Sequence, residues 1–148
     1  AKVLALVKIN CTSAMKNISH IGKLRVTPWH PIIYDNEWIH PNSIGNLKTI
    51  PCDAVYNVVL TNGHSINVNG YWAITLGHEY KVGILAHNYF GSKNIIQDLM
   101  HKPGWNDGTV VICDNQFVRD HITGEIVAIS KDVNTDYDNR LVTYKLFG

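Results

Sequence analysis

A mostly β fold with one short helix is predicted by three observations. Short apolar or alternating runs recur along the chain, glycine-containing turn signals separate several of them, and one stretch alone carries helical periodicity. The chain opens on VLALVKI, an apolar run that reads as a strand. KLRVT and EWIH read as further strands, with Pro28, Pro31, Pro41 and Pro51 moving them towards edges or bends, since proline cannot donate to a ladder. The clearest local signal lies between Ala54 and Thr75, where AVYNVVL, SINV and YWAIT are separated by TNGH and VNG. Asn-Gly favours type I′ hairpin turns, so Asn62-Gly63 and Asn69-Gly70 predict a three-stranded meander. Ser92 can cap the run KNIIQDLMHK, which Pro103-Gly104 stops after about three turns. Ile95, Ile96, Leu99 and Met100 share one face of that helix and are expected to pack inward. TVVIC, QFVRD and EIVAI then resume the β pattern, with Thr123-Gly124 as a turn. The reading divides the chain into a domain over 1–129 and a segment over 130–148. In the latter, SKDVNTDYDNR is a polar linker or loop and LVTYKLF a terminal strand, a C-terminal β extension. No internal repeat or low-complexity run is present.

At 148 residues the chain can build one real core, because a chain of this size buries about 68–70% of its unfolded surface. Hydrophobic residues make up 45% and charged ones 17%, in the range of ordinary globular proteins. The net charge is +1 and the 13 Lys and Arg residues form no run, which argues against a nucleic-acid partner. No apolar run approaches the ~20 residues of a membrane helix, and AKVLALVKIN is too short and too charged for a signal peptide. Cys11, Cys52 and Cys113 are odd in number and widely spaced, which suggests neither a disulfide framework nor a cysteine zinc site. A reducing, cytoplasmic location is the expectation. The chain starts inside a strand without an initiator methionine, so it is expected to be a fragment of something longer.

The chemistry concentrates in RVTPWHPII. Thr27 precedes Pro28 and His30 precedes Pro31, and a residue before proline is driven out of helical geometry by the proline Cδ. A hydroxyl and an imidazole are thus held three residues apart on stiffened backbone. Imidazole can deliver a proton to an amide nitrogen near neutral pH, and the hydroxyl can hydrogen-bond the same peptide. The plain alternative is a half-buried turn histidine beside a β-branched strand residue.

Thr27-Pro28-Trp29-His30 resembles the T-x-x-H motif of the Hint superfamily, the self-processing domains of inteins and hedgehog proteins. LRVTPWHPI, EWIHP, VYNVVLTNGHSINVNGYWAITLGH, AHNYFG, DLMHKPGW and VRDHITGEIVAI, in that order, resemble the Vint variant, found in proteins with a von Willebrand factor A domain. The resemblance implies a β horseshoe in which an N-terminal nucleophile, usually cysteine, attacks the preceding carbonyl in an N-to-S acyl shift. It implies that His30 protonates the scissile amide and that Thr27 orients it. It also implies a larger precursor, with a von Willebrand factor A domain in cis as one candidate neighbour, and it implies no cofactor. The family's nucleophile lies upstream of T-x-x-H; here only Cys11 does, and as a free cysteine at a strand end it reads as an ordinary small hydrophobe. The nucleophile is therefore expected from an upstream segment of the precursor or from a complementing fragment, with little activity in the isolated chain.

GILAHNYF carries a second signal. Inteins typically end in His-Asn, the asparagine cyclising on its own carbonyl while the histidine assists. His87 and Asn88 have that order, but Tyr89 comes next, so no second nucleophile is available and C-terminal cleavage is the most this pair could do. The alternative is a strand-to-loop boundary. His78, in TLGHEY, is a further candidate partner for Thr27 and His30. Readings from other classes are weaker. Asp35, His40, Asn46 and Cys52 have an order suggestive of an HNH nuclease, but the residues after them are β where that motif needs a helix. No HxH, HExxH, GxGxxG, GxxxxGK or GxSxG spacing occurs. The competing reading is a chemically silent Hint-fold module for structure or protein interaction, with Trp29, Trp38, Trp72 and Trp105 as possible docking aromatics.

Overall fold

Strand β1 (Val3–Asn10) organises the fold, pairing antiparallel with one strand and parallel with another. Its alternation buries Ala5 and Val7 on one face, as period-two geometry requires. The computed structural model describes residues 2–130. Past Cys11 the chain enters β2 (Met15–Ile21), which turns back through β3 (Leu24–Val26). A second hairpin comes after it, β4 (Ile32–Tyr34) and β5 (Glu37–Ile39). Next, β6 (Leu47–Pro51) pairs with β2 and β7 (Ala54–Leu60) pairs with β1. The strand pairs β2/β6 and β1/β7 thus form one long ribbon with a corner between them. Across it, Cys11 N–H donates to Asp53 O at 2.8 Å and Cys52 N–H to Ala14 O at 3.4 Å.

The hairpin of β8 (Ser65–Val68) and β9 (Tyr71–Ile74) joins β4 and β5 in a sheet of order β5-β4-β9-β8. Helix α1 (Lys93–Met100) leads to β10 (Thr109–Cys113), which lies parallel to β1, and to the hairpin of β11 (Phe117–Arg119) and β12 (Ile126–Ile129). The fold among the described residues is mostly β with a single α-helix, as expected. The extension expected over 130–148 lies, from residue 131 on, outside the described residues.

Three local expectations are corrected. The three-stranded meander does not form, because β7 pairs with β1 and only β8 and β9 pair with each other. Turn chemistry explains the difference. Asn69 (φ 51°) and Gly70 (φ 92°) both adopt the positive φ of a type I′ turn, whereas at Asn62-Gly63 only Gly63 does. Asp35 (φ 54°) and Asn36 (φ 66°) make the other such turn, between β4 and β5. On α1, Ser92 Oγ accepts from Asn94 N–H at 3.2 Å and Ile95 and Leu99 are buried, but Met100 is 53% exposed. Leu99 in the same last turn is fully buried, so Met100 sits at the edge of the buried stripe and not on it. Finally, Thr27 is not a strand residue; β3 stops at Val26 and a turn begins.

Two apolar clusters hold the molecule together. One gathers Val7, Val59, Ile95, Leu99, Val110 and Ile112; the other gathers Ile21, Leu24, Ile32 and Ala73. Each fully buried large side chain of this kind stabilises the fold by about 1.5–3 kcal/mol. Between the clusters lies a cavity of about 970 Å³, walled by residues from both lobes of the ribbon and from β9.

Candidate active site

Residues Thr27 to His30 form a β-turn closed by His30 N–H donating to Thr27 O at 3.2 Å. Pro28 occupies its second position, where the ring already has the required φ. The 3-10 turn Pro41–Ser43 braces it, Asn42 N–H donating to Pro28 O at 2.9 Å. Thr27 and His30 therefore stand at the two ends of one turn, and both line the cavity.

The His30 ring is anchored from β9: its Nε2 lies 2.8 Å from Ile74 O. A carbonyl can only accept, so Nε2 carries a proton, and in neutral imidazole the lone pair then sits on Nδ1. Burial lowers the His30 pKa below the ordinary histidine value, and the bond to Ile74 O offsets part of that shift. At neutral pH His30 is thus a neutral base with a defined tautomer.

His78 and His87 line the same cavity, each with its Nδ1 already accepting from backbone N–H groups. His87 Nδ1 accepts from Tyr89 N–H (3.2 Å) and Phe90 N–H (2.9 Å), which leaves its proton on Nε2. Burial lowers its pKa, with Glu125 acting in the opposite direction. His78 Nδ1 accepts from Tyr80 N–H at 3.0 Å, and the ring also hydrogen-bonds the Leu85 backbone. Burial and then the nearby His64 lower the His78 pKa. The ring is wedged against Gly91, where an added Cβ would fall 2.9 Å from both Cε1 and Nε2 of His78. Of the three imidazoles, only His30 presents an unbonded lone pair.

Asn88 is exposed and is not part of the cavity wall. The fold brings Thr27, His30, His78 and His87 together and leaves Asn88 apart. The chain beyond Asn88 belongs to the interior: Tyr89 is buried, its hydroxyl donating to Asp98 Oδ2 at 2.6 Å, and α1 and β10 complete the larger core.

Four groups at the cavity escaped the sequence reading as site members. Ile74 contributes through its backbone, which no side-chain motif reveals. Thr75 is buried, its hydroxyl donating to His64 O at 2.9 Å. Cys52 lies in the wall, its thiol donating to Ala54 O at 3.3 Å. His40 packs edge-on against Trp29, ring centroids 5.3 Å apart. For His40 there was a signal: His40-Pro41 repeats the His30-Pro31 pair.

A hydroxyl and a neutral imidazole thus stand at the two ends of one turn and face the same cavity. Comparison with protein families decides the lineage, the model of the Vint Hint-domain matching residues 1–128. The chain belongs to the Vint family of Hint domains. No curated protein matches it. Membership supports an autoprocessing-type or Hint-fold module in general, and in this Vint domain the Thr27–His30 turn carries the T-x-x-H spacing.

Proposed function

We propose that this Vint domain rearranges and cleaves a peptide bond of its own precursor, with His30 as proton carrier and Thr27 as the orienting hydroxyl. The observation that carries the reading is the convergence of Thr27 and His30 on one cavity with the His30 Nδ1 lone pair unengaged. The occupant would be an extended, largely apolar segment of the precursor, or a complementing fragment, bearing a cysteine or hydroxyl nucleophile. Leu6, Trp29, Tyr56 and Ile84 line the cavity while remaining substantially exposed, an apolar surface suited to such a segment. The family resemblance adds a von Willebrand factor A domain as a candidate neighbour in cis.

The reaction balances on one nitrogen. The nucleophile's proton passes to His30 Nδ1 as its sulfur or oxygen attacks the preceding carbonyl carbon. Thr27 hydrogen-bonds the reacting peptide and holds it in line. A histidine of lowered pKa makes a strong acid once protonated, so His30 then gives the same proton to the departing amide nitrogen as the C–N bond breaks. A thioester or ester and a free amine result, and His30 returns to its neutral state. Holding both reactants on one chain can supply up to about 7–11 kcal/mol of the barrier. Asn88 has no part in this scheme, because it is exposed and lies outside the cavity wall.

The test is mass spectrometry of a precursor that includes an upstream segment. Fragments released by thiol or hydroxylamine, and abolished by His30→Gln in a folded protein, support the proposal. A wild-type precursor that stays intact and insensitive to both reagents overturns it and leaves the silent interaction module.

A further inference from the structure

We propose that Cys11 and Cys52 form a reversible intramolecular disulfide that clasps the corner of the ribbon at the cavity wall. This inference does not depend on the processing reaction. The two residues occupy the corner itself, beyond the last ladder pairs on either side, Asn10 with Ala54 and Met15 with Pro51. Backbone bonds hold them in place from both directions: Cys11 N–H to Asp53 O, and Cys52 N–H to Ala14 O. Cys52 is close enough to act on the Cys11 sulfur, and each thiol donates to a nearby backbone carbonyl, Cys11 to Ile9 O at 4.0 Å and Cys52 to Ala54 O at 3.3 Å. Both are free and half-buried, and Cys52 faces the cavity. Cys113 is the wrong partner. It sits in β10 opposite Asn10, and the groups that act on the Cys11 sulfur are Lys16, Cys52 and Asp114.

Strand pairing brings the two residues to the same corner from the two sides of the ribbon. The loop the bond would close, from Cys11 to Cys52, contains β2 to β6 and the whole Thr27–His30 turn. Cross-linking a loop of that length removes much of the unfolded chain's freedom, so the oxidised domain is the more stable form. Burial pushes the Cys11 thiol up, so it is a sluggish nucleophile on its own. The oxidant is a small-molecule disulfide such as oxidised glutathione. One protein thiolate attacks it, expelling one glutathione and leaving a mixed disulfide; the second protein thiolate displaces the other glutathione and completes the Cys11–Cys52 bond. Two protein thiols are oxidised, one disulfide is reduced to two thiols, and the two thiol protons pass to the departing glutathiones.

The experiment incubates the domain with oxidised glutathione, alkylates what remains, and maps peptides without reduction. Expected are the loss of two hydrogen masses, one alkylation at Cys113, a peptide joining Cys11 to Cys52, and a higher unfolding temperature that dithiothreitol reverses. Cys113→Ser should keep the bridge and Cys52→Ser should lose it. Three alkylations after oxidation, a bridge to Cys113, or cross-linking only between molecules would each overturn the proposal. Because Cys113→Ser leaves both ribbon cysteines in place, failure of Cys52→Ser to fold does not blunt the test.

Discussion

Two turns at the same cavity each carry a histidine, and they use it in opposite ways. At Thr27–His30 the backbone closes the turn by itself, His30 N–H bonding Thr27 O, and the ring is left to chemistry with only Nε2 tied to Ile74 O. At His87–Phe90 the ring itself closes the turn, Nδ1 taking the N–H groups of Tyr89 and Phe90. A lone pair that caps backbone donors cannot also accept a proton from a substrate. The contrast teaches that lining the cavity is not enough; what separates a candidate base from a scaffold histidine is which nitrogen the backbone has claimed.

Substituting each histidine in turn should separate the two roles. His30→Gln keeps a side-chain N–H able to reach Ile74 O but removes the proton carrier. Processing of the precursor should slow by about 10²–10⁴-fold with little change in unfolding midpoint, the magnitude general acid–base catalysis supplies. His87→Ala should do the reverse. With the Tyr89 and Phe90 N–H groups left unpaired, stability should fall by about 1–3 kcal/mol while the rate per folded molecule stays near wild type. Equal rate losses in the two variants, measured alongside urea titrations, would erase the distinction.

His78 tests the scaffold side without touching a histidine. Gly91 backs directly onto its ring, so Gly91→Ala forces either the imidazole or the 87–91 backbone to move. We expect a loss of about 1–3 kcal/mol, typical of overpacking, read from the denaturant midpoint. A neutral result would mean that His78 yields freely and is not a fixed part of the wall.

Acid should act on all three rings at once. Burial holds the folded pKa values of His30, His78 and His87 below the ordinary value, which is about 6.5 in the unfolded chain. Below that pH the unfolded state takes up protons that the folded state refuses. Stability should therefore decline as pH falls from about 6.5 to the folded pKa values, and level off beneath them. Thermal melts across that range check the sign, and His30→Gln should make the decline shallower. Stability that rises on acidification would show the rings to be charged in the folded state.

How much of this was legible beforehand depends on what kind of interaction each feature rests on. The helix, its Ser92 cap and the Asn69-Gly70 hairpin are local, and periodicity and turn chemistry placed them. Strand β2, MKNISHI, escaped because a serine and a histidine interrupt its apolar pattern; Ser19 is nevertheless fully buried, covered by β3 and β6. The meander failed because β7 had a distant partner, β1, that no turn signal announces. Thr27 and His30 were readable as a pair through their prolines and the family motif. Their anchor at Ile74 was not, since it joins residues 44 apart through a backbone atom. Nor could spacing alone show that His78 and His87 share the cavity while Asn88 does not.

The smallest effect concerns the proline that sets the turn. Pro28→Ala leaves the Thr27–His30 hydrogen bond intact, because the proline nitrogen donates nothing and alanine tolerates the same φ. The folded contacts hardly change, so the loss arises in the unfolded chain, which gains freedom at residue 28 and, with the proline Cδ gone, at Thr27 as well. We expect destabilisation of about 0.4–1 kcal/mol by denaturant titration, small beside the effects at His87 or Gly91. If the Thr27–His30 turn works through rigidity, the processing rate should drop by more than stability does, because the hydroxyl now samples orientations that proline excluded. A rate that merely tracks the fraction folded would show instead that the brace from Pro41–Ser43, through Asn42 N–H and the carbonyl of residue 28, is sufficient to fix the site without the ring.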